Sequence, residues 1–194
     1  DIGQKDPGYE FDATGFHQEG LLLPGVKVHK AGVSDEELID VVRFNSRSPK
    51  KVVGDLNAQI AAVQTGTQRL VDLHEKYGTP TVEAAIERVL AHSARKARAA
   101  VRELPDGTWE AEDFLDTDGV TGDPVAVRAR VTVDGAAVTV DFTPSPGTVP
   151  GPFNVPIGLT RSVCKLCLKA ITLPEDATNS GHFDPLTVVA PEGN

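Results

Sequence analysis

The chain has 194 residues, 40% of them apolar and 24% charged, with a formal net charge of −9. That acidic balance argues against nucleic acid as a partner, and no apolar run reaches the roughly 18 residues needed to span a bilayer. Two cysteines suit a reducing cytosol and not a disulfide scaffold, so the expected location is cytoplasmic.

Residues 1–33 read as a loop-rich segment with short extended pieces, because Gly, Pro and Asp crowd its start and Pro24-Gly25 breaks the apolar run that follows. Ser34 and Glu37 have the spacing of a capping box, Ser34 as N-cap, opening a short helix lined by Leu38, Val41, Val42 and Phe44. Asn45 to Pro49 is a turn. From Gly54 to Gly78 the apolar residues Leu56, Ile60, Val63, Leu70 and Leu73 recur at helical spacing. Gly66 interrupts that stripe and suggests close approach by another backbone. Gly78 with Pro80 is a stop signal. A second long helix follows from Thr79, its apolar face on Val82, Ala85, Ile86, Val89 and Leu90, and the two predict an antiparallel pair.

The period then changes. Trp109, Ala111 and Phe114 belong to a short strand region. Val125, Val127, Ala129, Val131 and Val133 alternate with other residues, as a half-buried strand requires. Asp134-Gly135 signals a hairpin, and Val138, Val140 and Phe142 alternate in the return strand, giving three antiparallel strands from about residue 108 to 143. After a Pro/Gly-rich loop, Ile157 to Ile171 read as a buried helix and Leu186 to Val189 as a strand. The fold class is α+β: a long helical pair, an antiparallel sheet and a further helix-strand unit. The regions are 1–33, 34–104 and 105–194, all part of one larger subunit.

The stretch Gly54-Asp55-Leu56, Gln59-Ile60-Ala61, Gly66, Arg69-Leu70, Leu73 and Tyr77-Gly78 resembles a segment of the hydantoinase B/oxoprolinase family. Asp1-Ile2-Gly3, Gln18-Glu19-Gly20 and the tail Ala190-Pro191-Glu192-Gly193 agree with the same family in the same order. Family members run to several hundred residues, and this chain starts with Asp and contains no Met. The expectation is therefore an internal piece of a B-type subunit.

The resemblance implies ATP-dependent chemistry on a small-molecule substrate. No P-loop, GxSxG, HExxH or Rossmann fingerprint occurs here. The resemblance implies the reason: the family's nucleotide site belongs to an A-type partner subunit, or to the A-type half of a fused chain, and the expectation here is a hetero-oligomer with an A-type subunit. Asp1-Ile2-Gly3 resembles the end of an H-x-x-D-I-G-G motif whose His and Asp hold a divalent metal (Mg, Mn or Zn) in ketone-carboxylating members. Asp1 is thus either half of a metal site or a terminal loop carboxylate, and Gln4 departs from the motif's second glycine. Carboxylating members carry a further metal-binding His immediately before Glu-Gly. Here that position is Gln18, with His17 one residue earlier, which tilts the reading from carboxylation toward amide hydrolysis. His17 and Gln18 are candidate catalytic residues, His17 against the alternative of a surface histidine.

Gly151-Pro152-Phe153-Asn154 with Thr160-Arg161-Ser162 also resembles a family segment. Arg161 at a helix start would suit an anionic intermediate; the alternative is a structural arginine with Thr160 as helix cap. His182, in Asn179 to Phe183, is a candidate acid or base because imidazole titrates near neutrality. Asp55 reads as a first-turn acid favoured by the helix dipole. Cys164 and Cys167 have CxxC spacing, but with apolar flanks and no second pair they read as two small apolar residues on the helix. Arg95, Lys96, Arg98 and Arg102 read as a solvated helix face. The reading is a B-type subunit of an ATP-dependent cyclic-amide hydrolase acting on a hydantoin, 5-oxoproline or another lactam. The alternatives are an ATP-dependent ketone carboxylase subunit, or a non-catalytic module that docks the A-type subunit.

Overall fold

The structure, a computed structural model, describes residues 2–4 and 10–190. The chain divides between Thr79 and Pro80 into two compact units, a boundary inside the expected helical region.

The first unit contains a two-stranded antiparallel hairpin, β1 (His29–Lys30) and β2 (Val33–Ser34). It turns at Ala31-Gly32, with φ of 48° and 85°. Helix α1 (Glu36–Phe44) follows, with Asp35 as its N-cap: the Asp35 carboxylate accepts from the Leu38 N–H at 3.2 Å. The cap is one residue later than the sequence suggests, because Ser34 is paired into the hairpin opposite His29. Its buried face is Ile39 and Val42, one helical turn apart, while Val41 and Phe44 face solvent.

Helix α2 (Pro49–Tyr77) starts with Pro at its first position, where no intrahelical N–H is lost. That start leaves Asp55 well past the first turn, so the dipole does not account for it. Gly78 ends the helix at φ 81°, its N–H donating to His74 O at 2.9 Å. Helix α1 packs on α2, yet none of the 29 residues of α2 is buried. Nothing stands within 4 Å of a Cβ placed on Gly66, so the expected close approach of another backbone does not occur among the described residues.

The second unit opens with α3 (Thr79–Val101). Its mixed four-stranded sheet runs in the order β3 (Gly107–Leu115), β4 (Val125–Asp134), β5 (Ala137–Asp141) and β6 (Leu186–Val189). The first three strands are antiparallel, as the alternation predicts. β6 joins as a fourth strand parallel to β5, after the crossover helix α4 (Ile157–Thr172). The hairpin between β4 and β5 turns on Gly135 and Ala136, where Gly135 has φ 55°, one residue later than predicted. The core lies on one sheet face: Val133 and Val138 pack with Val101 of α3 and Leu168 of α4. Fully burying one such side chain is worth about 1.5–3 kcal/mol.

Helix α4 is buried on one side only. Cys164, Leu168 and Lys169 are inside, whereas Leu159, Val163, Leu166 and Ile171 are exposed. The two cysteines separate accordingly: Cys164 is buried and Cys167 exposed. Burial pushes the Cys164 thiol above its ordinary value, which leaves it a small apolar residue.

Candidate functional site

In the first unit, the segments Ile2-Gly3 and Gln18-Glu19-Gly20 meet by backbone contact. Leu21 N donates to Ile2 O at 2.7 Å, and Gly3 N donates to Asn45 O at 2.6 Å. Ile2 also forms an isolated antiparallel bridge with Ser46. Two glycines make this junction possible. Gly20 has φ 141°, and a Cβ there would stand 2.5 Å from Ile2 O; Gly3 has φ 76°, and its Cβ would stand 2.9 Å from Leu21 N. Only glycine fits where φ is positive and a neighbouring backbone lies this close.

Gln18 is committed to its own turn. Its Oε1 accepts from Thr14 N at 2.7 Å and from Gly15 N at 3.2 Å, capping the short 3-10 helix Phe16–Gln18. His17 is exposed, with its ring against Phe16, centroids 4.1 Å apart. Asp1 lies outside the described residues. No three His, Cys, Asp or Glu side chains among the described residues come together to hold a metal ion. The described donors alone therefore do not form a metal site.

A histidine that the sequence does not single out is held more firmly. His29, half-buried on β1, lies between Ser34 Oγ at 3.3 Å and the Gln64 amide of α2 at 3.1 Å. The Gln64 nitrogen can only donate, so His29 Nε2 accepts and the ring proton sits on Nδ1. The signal that could have found it is Ala31-Gly32, a two-residue hairpin connection that brings positions 29 and 34 face to face.

In the second unit, His182 is in a closed polar cluster. It is 4% exposed. Asn179 N–H donates to its Nδ1 at 3.3 Å, which puts the proton of the neutral ring on Nε2. That Nε2 stands 3.6 Å from Asp176, whose carboxylate is bonded to Lys96. The Lys96 ammonium is the main cause that holds the Asp176 carboxyl below its usual range. Asn179 also donates to Ser93 Oγ of α3 at 2.8 Å, and a Cβ on Gly181 would stand 2.2 Å from Leu90 O. This turn is thus fastened to α3. Lys96 pairs with Asp176 and Arg98 with Asp184, so the basic stretch of α3 is not only a solvated face.

Of the Gly151 to Asn154 segment, Phe153 and Asn154 form part of the wall of an apolar cleft of about 320 Å³. Strand residues Leu115, Val125 and Val127 line one side, and Leu159, Thr160 and Val163 of α4 another. Asn154 fixes the wall: its Oδ1 accepts from Val149 N, and its Nδ2 donates to Val149 O and Gly151 O, each at 2.8 Å. The N-cap position of α4 is Pro156, so Thr160 does not cap the helix. Arg161 is exposed and does not line the cleft. His17 and Gln18 fall in one unit, Arg161 and His182 in the other, and within the second unit neither Arg161 nor His182 lines the cleft.

Residues 1–194 match the Hydantoinase B/oxoprolinase family. The chain belongs to that family. It is 39% identical to a protein of Pseudomonas sp. (strain NS671) that is provisionally named as the B-type subunit of a D-/L-hydantoinase, over 100% of this chain and 35% of that protein. It is 31% identical to the beta subunit of the caprolactamase of Pseudomonas jessenii, over 100% of this chain and 33% of that protein. The crystal structure of the ATP-dependent caprolactamase from Pseudomonas jessenii superposes with a TM-score of 0.88 at 31% identity, covering 99% of this chain and 33% of that one. An acetone carboxylase structure shares the fold, with a TM-score of 0.83 at 14% identity over 96% of this chain and 26% of that one. This hydantoinase B/oxoprolinase chain spans about a third of the length of the curated relatives it matches first. No helix among the described residues is long and apolar enough to cross a membrane.

Proposed function

We propose that this chain is the part of a B-type subunit that serves ATP-dependent hydrolysis of a cyclic amide, in a cytoplasmic complex with an A-type partner that binds ATP. The observation that carries the reading is the likeness to the ATP-dependent caprolactamase, at 31% identity and a TM-score of 0.88 over 99% of the chain. In this reading ATP activates the amide oxygen in the A-type subunit and water then opens the ring. The glycine-locked junction of Ile2-Gly3 and Gln18 to Gly20 would hold the first unit's loops in register for that step. Gln18 brings an amide where carboxylating members bring an imidazole, and here the amide oxygen is used by two backbone N–H groups. The test is the intact B-type protein with its A-type partner, given ATP, labelled bicarbonate, cyclic amides and small ketones. ATP turnover that requires a cyclic amide, with ring opening and no label fixed, supports hydrolysis. Label in an acid-stable product overturns it in favour of ketone carboxylation.

A second reading has its own observation. Helix α2 carries Val63, Leu70 and Leu73 exposed and buries none of its residues, which suits a module that docks the A-type subunit. Replacing Leu70 and Leu73 by Ser should then abolish assembly, and lower activity only to the extent that assembly is lost.

A further inference from the structure

The turn Ser180–Phe183, a short 3-10 helix with Asn179 as its N-cap, joins the loop after α4 to the strand β6. It is fastened on both sides. Asn179 Nδ2 donates to Ser93 Oγ of α3, and Gly181 lies against the Leu90 backbone. Just before β6 begins, Pro185 O accepts from Val138 N of β5 at 2.8 Å. The turn keeps its own shape through bonds of 3.0–3.3 Å: Gly181 N to Asn179 Oδ1, His182 N to Asn179 O, Asp184 N to Gly181 O, and Asn179 N to His182 Nδ1.

The last of these bonds depends on the proton count of the ring. His182 Nδ1 accepts from Asn179 N–H only while the ring is neutral with its proton on Nε2. A second proton must go to Nδ1, which then faces the Asn179 N–H as donor against donor. The ring is 4% exposed, so neither group reaches solvent while the turn stays closed, and a buried donor without an acceptor is costly.

The charges around the ring do not offset that loss. His182 Nε2 has no hydrogen-bond partner among the described residues. The carboxylate it faces, Asp176 at 3.6 Å, is already bonded by Lys96 of α3. Lys169 of α4 reaches the same loop, its Nζ donating to Asp176 O at 2.8 Å and to Leu173 O. Lys165 of α4 stands over the Phe183 ring, Arg98 of α3 is paired with Asp184, and His92 and Arg95 of α3 and Glu175 are exposed. A protonated His182 would therefore be a third cation beside one carboxylate that two ammonium groups already approach. The groups that enclose the ring all come from α3, α4 and the loop between α4 and β6.

We propose that Asn179 and His182 form an acid-labile latch: the turn is closed while His182 is neutral and opens when the ring takes up a proton, releasing the start of β6 from α3. The sign follows from counting protons. The open turn, with its ring in water, binds one more proton than the closed turn, so closure is favoured as pH rises and lost as pH falls. Imidazole changes charge between about pH 8 and pH 5. Asp176, held below the ordinary carboxyl range chiefly by Lys96, stays ionised across that window.

The experiment is amide hydrogen exchange on the full B-type chain assembled with its A-type partner, from about pH 8 to about pH 5, read as protection corrected for the intrinsic exchange rate at each pH. Protection of Asn179, Gly181, His182 and Asp184 should fall roughly tenfold or more over that range, while that of the β4–β5 hairpin stays constant. His182→Asn puts an amide oxygen near the Nδ1 position, an acceptor that does not titrate, and should hold the turn's protection level across the range. His182→Phe keeps a ring without an acceptor and should show the acid level of protection already at the alkaline end. Wild-type protection that stays flat overturns the proposal, whether or not either variant assembles. Protection that rises as pH falls also overturns it, since the pair of His182 with Asp176 would then fasten the turn instead of releasing it. So does a fall in His182→Asn as large as in the wild type, which would place the titrating group elsewhere. If the β4–β5 hairpin loses protection in parallel, the whole unit is unfolding and there is no latch.

Discussion

Gly151 is seated on the backbone of Asp118: a Cβ at Gly151 would stand 1.5 Å from the Asp118 carbonyl oxygen. Asp118 is itself 2% exposed, and its Oδ1 accepts from the N–H groups of Val120, Thr121 and Gly122 at 2.7–3.2 Å. Neither partner can move aside without breaking that set. Gly151→Ala should therefore lower the stability of the fold by about 1–3 kcal/mol, the usual range for overpacking. A lowered midpoint of thermal unfolding checks this. An unchanged midpoint would mean that the contact between Gly151 and Asp118 does not hold this loop in place.

Gly20 makes the equivalent prediction in the first unit. Its φ of 141° and the 2.5 Å approach of Ile2 O leave no room for a side chain. Gly20→Ala should part Leu21 from Ile2 and so separate two segments that the family resemblance marks as site-proximal. If the junction serves the reaction, kcat should fall at least tenfold while the complex with the A-type partner still forms. Gly25→Ala is the control, since nothing stands within 4 Å of a Cβ there and its φ is not in the left-handed region.

Strand periodicity carried most of what the sequence could say about the sheet. The alternation from Val125 to Val133 and from Val138 to Val140 corresponds to paired strands whose alternate residues share one face. Helix faces were harder to read. Spacing puts Val63, Leu70 and Leu166 on apolar stripes, but burial depends on what covers a stripe, and all three remain exposed. Distant pairings were not legible at all. That Gln64 would meet His29, or that Asn179 would meet Ser93, follows from how the chain folds back and leaves no local signal. The site shows the same division. Motif resemblance drew attention to Gln18 and to Asn154, and the structure gives both side chains backbone partners. The cleft beside Asn154 arises from β3, β4 and α4 together and has no motif of its own.

Asp176 should give the second unit a pH dependence. Its hydrogen bond from Lys96 is the largest cause of a carboxyl value below the ordinary one. A carboxylate whose folded value is depressed contributes stability that is present above its unfolded value, about 3.9, and is lost as pH falls through the folded value. The thermal midpoint of the wild type should therefore exceed that of Asp176→Asn at neutral pH, and the gap should close as pH is lowered from about 5 toward 3. A gap that stays constant over that range would mean that the Lys96 pairing contributes nothing to folding.

Gln18 can be tested for cap and chemistry separately. Its amide oxygen accepts two backbone N–H bonds, from Thr14 and Gly15, and losing such a cap costs about 0.5–2 kcal/mol. Gln18→Glu keeps the acceptor oxygen and removes the NH2 group; Gln18→Ala removes both. If Gln18 only shapes the turn, the glutamate variant should keep wild-type stability and turnover, and the alanine variant should lose stability by that amount. If the NH2 group also touches substrate, the glutamate variant should keep its thermal midpoint but lose kcat. The structure favours the first outcome, because the oxygen is already committed within the turn and the adjacent His17 ring lies on Phe16. Measuring kcat and the unfolding midpoint on the same two variants separates the cases. A glutamate variant that is stable yet inactive would move Gln18 from a positioning residue to a catalytic one.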